Sequence, residues 1–132
     1  MRVAEVMRTE LRTIRSSAKV SEAIAALVEA RISSLPVIEA ERPIGVVSQQ
    51  DVLRAAIERD PDGRPRWAAE RTPVVAIMSP WPPAVAADTA VAEAARTMLY
   101  LDLKRVFVVD DGALVGVLSQ ADIADAVATA RL

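Results

Sequence analysis

GVVSQQD at residues 45–51 returns as GVLSQAD at residues 116–122, 71 positions later, with five of the seven letters unchanged. Gly, Ser and Asp stay in step. The same shift aligns Met7 with Met78, Val20 with Val91, Glu22-Ala23 with Glu93-Ala94, and Val37 with Val108. Apolar character is kept at Ile14/Val85, Leu27/Met98, Ile32/Leu103, Leu35/Val106, Ile38/Val109 and Ile44/Val115, and no gap is needed between Met7 and Asp51. Self-similarity over that length is a duplication of one structural unit.

Each copy spells strand, helix, strand, strand, helix. Thr13-Ile14 and Ala84-Val85 fall in short extended stretches. Over 20–32, Val20, Ile24, Leu27, Val28 and Ile32 recur at three- and four-residue spacing, one apolar stripe on a helix. Val91, Ala95, Met98, Leu99 and Leu103 hold the matching places over 91–103. Residues 34–40 and 43–48 read as two strands of the first copy, and 105–111 and 113–119 as those of the second. The first hairpin is expected to cross at Glu41-Arg42 and the second at Asp111-Gly112, where Asp-Gly is a strong turn signal. Helices follow over 50–60 and 121–131.

A unit with so small a sheet cannot cover its own apolar faces well. The expected architecture is therefore α+β, two repeats packed through their sheets about a pseudo-twofold axis around a shared core. Repeat one spans 1–58, a linker 59–73, and repeat two 74–132. DPDG at 60–63 favours a turn, Trp67–Arg71 a single helical turn, and PWPP at 80–83 a stiff extended entry to the second copy.

Composition narrows the function. The 132 residues suit one domain, and no apolar run in a chain that is 52% hydrophobic approaches the ~20 residues of a membrane span. With neither His nor Cys, the usual zinc ligands, thiol nucleophiles and general base are missing, and a Ser-His-Asp triad is impossible. Neither catalysis nor a metal is expected. A net charge of −2 and a pI near 5.2 give no basic field for duplex nucleic acid. MRVAEVMRTELRTIR is studded with charge and lacks an apolar h-region, so it does not read as a signal peptide, and a cytoplasmic location is expected.

The segments VMRTELRTIRSSAKVSEAI, ISSLPVIEAERPIGVVSQQDVL, IMSPWPPAVAADTAVAEAA and LKRVFVVDDGALVGVLSQADIA, in that order, resemble a tandem pair of CBS domains, often called a Bateman module. The resemblance covers nearly all of the chain. It implies a pseudo-symmetric module, usually a homodimer, with up to two clefts for adenine nucleotides or related adenosyl ligands, which regulates a protein partner. AMP, ADP, ATP, NAD and S-adenosylmethionine are the candidate ligands, and no cofactor is required.

The Ser/Asp pairs admit two readings. Ser48 with Asp51, and Ser119 with Asp122, have the spacing of a capping box, with Asp suited to the positive end of the helix dipole. Alternatively, the first helical amides welcome an anion while Asp accepts from the vicinal hydroxyls of a ribose, the role the family implies. Gly45 and Gly116 spare the strand a side chain where a ligand or another backbone comes close.

Carried over from similar proteins, the better-equipped cleft takes Thr13, with the Ser16–Ala18 backbone, and Lys104, Arg105, Ser119 and Asp122. The weaker cleft takes Ser34, Ser48, Asp51 and Ala84; Ser33-Ser34 replaces Lys104-Arg105 there, so it offers less to a phosphate. Arg12 and Arg15 could add charge from the side. Phe107 reads as core or dimer packing, and Trp67 and Trp81 as covers for a core edge or a dimer contact. The leading function is a stand-alone sensor of an adenosyl ligand, and the alternative is a structural dimerisation module with vacant clefts.

Overall fold

The computed structural model describes residues 1–129. Ala130 and Arg131, the end of the helix expected over 121–131, lie outside the described residues. The chain divides into two compact units, only one of which is an unbroken stretch of sequence. Residues 12–82 make one, and Met1–Leu11 joins the chain from Pro83 onward to make the other. Two sheets and four helices among the described residues give the expected α+β class.

In the unit of residues 12–82 the sheet order is β1 (Ile14–Arg15), β2 (Ser34–Glu39), β3 (Arg42–Ser48) and β4 (Ser79–Pro80). β1 runs parallel to β2; the other pairs are antiparallel. Helix α1 (Val20–Ala30) joins β1 to β2, and α2 (Gln49–Ile57) follows β3. The apolar stripe of α1 buries Val20, Ala23 and Leu27, and the helix stops at Arg31 in the left-handed conformation, φ 53°. The other unit repeats the plan with β5 (Ala84–Ala86), α3 (Val91–Tyr100), β6 (Arg105–Asp110), β7 (Ala113–Ser119) and α4 (Gln120–Ala128).

The segments that precede β1 and β5 change allegiance. β4, just ahead of β5 in the chain, pairs with β3, Gly45 opposite Pro80 and Val46 opposite Ser79. At the matching place in the other unit, Arg8 bridges Val117. Each of these straps inserts a valine into the core it covers: Val74 joins Leu35, Val37 and Val47, while Val3 joins Val106, Val108 and Leu118, all fully or almost fully buried. Most of the buried hydrophobics among the described residues therefore fall into two clusters, one in each unit.

The straps explain the two glycines. A Cβ on Gly45 would lie 2.5 Å from the Ser79 carbonyl oxygen and 2.8 Å from the Met78 sulfur; one on Gly116 would lie 2.5 Å from the Met7 sulfur and 2.9 Å from the Arg8 carbonyl oxygen. Another backbone, supplied by the strap, requires the missing side chain.

Two local expectations shift. The first hairpin turns at Ala40-Glu41, φ 50° and 67°, rather than at Glu41-Arg42, because Glu39 pairs with Arg42 as Asp110 pairs with Ala113. Both turns have two consecutive positive φ angles, matching the right-handed twist of the strands. Residues 61–66 of the linker are exposed, the helical turn falls at Ala68–Thr72, and the Trp67 indole donates to the Glu58 carboxylate beneath the Arg66 guanidinium. Phe107 is buried opposite Ala84. No helix among the described residues is long and apolar enough to cross a membrane.

Candidate functional site

Each repeat turns from strand to helix at its Ser, and both corners are complete capping boxes. Ser119 ends β7 in extended conformation, its hydroxyl accepts from the Asp122 amide at 3.0 Å, and its own amide donates to Asp122 Oδ2 at 2.9 Å. Ser48 and Asp51 repeat this at 3.1 Å and 2.8 Å. The intervening Gln ties the corner to the end of the preceding helix. The Gln120 amide donates to the Lys104 carbonyl and its side chain to the Leu103 carbonyl, as Gln49 does to Ser33 and Ile32. The first-turn amides of Gln49, Asp51, Gln120 and Asp122 are thus engaged within the chain, as the capping-box reading of the Ser/Asp spacing expects.

The carboxylates differ in what else they hold. Asp51 is buried, and Ser79 and Arg54 both donate to its Oδ1 while Ser48 donates to Oδ2 through amide and hydroxyl. Four donors fill the lone-pair sites of a carboxylate. Asp122 keeps 9% of its side chain exposed, and beyond Ser119 it accepts from Arg8 Nε at 3.0 Å. Burial works against the charged Asp122, but the Ser119 amide, the Arg8 guanidinium and the Ser119 hydroxyl outweigh it and hold its pKa below the usual carboxylate value.

Lys104, Arg105, Ser119 and Asp122 come together at one end of one sheet. Arg105 lies directly opposite Ser119, and the Lys104 carbonyl accepts from the first residue of α4. Lys104 and Arg105 are exposed, and neither has an ion-pair partner among the described residues. Ser34, Ser48 and Asp51 form the matching corner of the other unit, with Ser34 opposite Ser48.

Thr13 belongs to the unit of residues 12–82, where it lines an open cleft of about 510 Å³ with Arg15, Ser16, Ser17 and Glu39; the Ser16 hydroxyl donates to Glu39 there. Ala84 begins β5 in the other unit. Arg12 lies 3.6 Å from Glu29 on the surface. Sequence reasoning passed over Arg8, Arg54 and Ser79. The signal was available, since the 71-residue shift sets Arg8 against Ser79 and Arg54 against Asp125.

A family model of the CBS domain matches residues 3–58 and again residues 74–129. The chain belongs to the CBS-domain family. A curated relative of this CBS pair, an uncharacterized 17.7 kDa protein of Acidianus ambivalens, is 27% identical over 127 residues, 95% of this chain and 72% of its own. A Vibrio cholerae chain assigned to acetoin utilization (AcuB) superposes with a TM-score of 0.82 at 22% identity, covering 99% of this chain and 93% of that one; that is a likeness of fold. CBSX2, solved in complex with AMP, gives 0.80 at 28% identity, covering 99% and 98%. The family repeats and the compact units divide the CBS pair differently, because residues 3–11 and 74–82 leave one repeat to complete the unit built on the other.

Proposed function

We propose that this CBS pair is a regulatory module that binds an adenine nucleotide or related adenosyl ligand and relays its presence to a protein partner through a conformational change. The likeness that carries this reading is to CBSX2, which matches over nearly the whole of both chains and was solved with AMP. Thr13, Lys104, Arg105, Ser119 and Asp122 are the proposed ligand set, with Ser34, Ser48, Asp51 and Ala84 as the weaker one. Two exposed cations beside a carboxylate that still has lone-pair sites offer complementary partners to a phosphate and a sugar diol. Signalling further requires that the ligand bind two arrangements with different affinity, since mere occupancy shifts nothing. The module binds and does not catalyse, acts in the cytoplasm, and forms a homodimer through apolar helix faces such as Val28, Leu53 and Ile57, which are 66–77% exposed in the single chain.

The second reading, a structural dimerisation module with vacant clefts, is favoured by the completeness of the two capping boxes. Calorimetric titration with AMP, ADP, ATP, NAD and S-adenosylmethionine separates the two. Heat and a thermal shift with at least one of them are expected. Silence with all of them refutes the sensor and leaves the structural module.

A further inference from the structure

The two capping aspartates each hold a guanidinium, but it comes from different elements. Arg54 lies on the same helix as Asp51, three residues along, and the strap adds the Ser79 hydroxyl. In the other unit the helix position that matches Arg54 is Asp125, and the strap position that matches Ser79 is Arg8. The cation has moved from helix to strap. Asp51 is consequently closed, with no side-chain exposure and four donors. Asp122 is held on Oδ1 by one hydrogen bond, from Arg8 Nε.

The Arg8 side chain is 73% exposed, and its Nε bond is the only hydrogen bond its guanidinium makes among the described residues. Water reaches the arginine end of this ion pair, while the Asp122 side chain is 9% exposed. Arg8 therefore has donors to spare and a planar fork suited to a phosphate.

We propose that Arg8 is a specificity-determining residue of the Asp122 corner, selecting a ligand that carries both a vicinal diol and an anionic phosphate. The inference rests on the adenosyl-binding function proposed above and names the class within it, a nucleoside 5′-phosphate. The diol takes acceptor sites on Asp122 and the phosphate takes the fork of Arg8, so the ion pair is exchanged for two charge-assisted contacts with one molecule. The Asp51 corner lacks this exchange, because Arg54 and Ser79 already fill its Oδ1.

The test is calorimetric titration of the full chain with AMP and with adenosine, using wild type, Arg8→Gln and Arg8→Lys, each first shown to melt as wild type does. Wild type is expected to bind AMP at least 10-fold more tightly than adenosine, the range of a hydrogen bond to a charged group. Arg8→Gln should lose most of that preference by weakening AMP while adenosine holds or tightens, and Arg8→Lys should keep part of it. Equal affinity of wild type for the two ligands, or an Arg8→Gln preference within twofold of wild type, overturns the inference and leaves the sensor function standing. Binding of neither ligand by wild type overturns the inference, and silence with ADP, ATP, NAD and S-adenosylmethionine as well overturns the sensor function.

Discussion

Replacing Gly45 or Gly116 by alanine should loosen a strap from its sheet, and the cost can be reasoned from the contacts. At Gly45 the added methyl meets the Ser79 carbonyl oxygen at 2.5 Å, and that atom is backbone of β4, which cannot turn aside. At Gly116 the nearest atom, also at 2.5 Å, is the flexible Met7 sulfur, with the Arg8 carbonyl next at 2.9 Å. Overpacking of this kind costs about 1–3 kcal/mol. If the strap lifts instead, Arg8 and Val117 lose two mutual hydrogen bonds of 2.9 Å each, about 1 kcal/mol apiece. Either route gives a loss of about 1–3 kcal/mol, toward the upper end for Gly45→Ala and the lower for Gly116→Ala, where the thioether can rotate away. In urea, with slopes of about 1–3 kcal/mol per molar, the midpoint should fall by about 1–2 M. Gly63→Ala is the control: nothing lies within 4 Å of its Cβ, but its φ of 86° is strained for alanine, a cost of about 1 kcal/mol. The expected order of damage is Gly45, Gly116, Gly63. Midpoints for the first two no lower than that of Gly63→Ala would refute the role assigned to the straps.

Other outcomes follow from the two carboxylates. Because the Ser119 amide and Arg8 depress the Asp122 pKa in the folded state, its stabilisation is complete above the unfolded value near 4 and is lost as pH falls through the folded value. Asp122→Ala should therefore cost about 1 kcal/mol at pH 7, and its gap to wild type should close as pH falls below the ordinary carboxylate value of about 4; urea melts whose separation is unchanged in acid would contradict this. Asp51→Ala removes a buried acceptor from the half-buried Ser48 amide and two hydroxyls and from the exposed Arg54, so about 3 kcal/mol is expected. Its melting temperature should fall several degrees below that of Asp122→Ala, and equal melting would show that the two corners are equivalent.

The duplication was legible because each element must keep its apolar face, so Val37/Val108 and Leu35/Val106 could not drift out of register. The capping boxes were legible too, since S-x-x-D at the end of an apolar strand is a local signal. The exchange of straps was not, because it depends on which sheet a segment reaches rather than on its own pattern. Val3 and Val74 look alike as residues of an N-terminal turn, and only the fold shows that each fills the core built on the other repeat. Gly45 and Gly116 carried a hint, but a missing side chain reports a close approach without naming what approaches. The first hairpin was misplaced by one residue because Ala40 and Glu41 lack the Asn or Gly that usually announces two positive φ angles.

Duplicated halves can share a motif and still differ in chemistry, and here the difference lies in where a guanidinium is tethered. Arg54 is carried by the helix that Asp51 caps, so helix and counterion move as one body, and three of the four donors on Asp51 come from that helix and its cap. Arg8 is carried by a separate segment, held by the Val117 bridge and by Val3 in the core. A group that competes for Asp122 therefore acts on the side chain of a strap residue whose backbone is clamped against Gly116. A guanidinium that faces water from a firmly anchored strap can exchange partners without unfolding its surroundings, which a fully buried four-donor carboxylate cannot do.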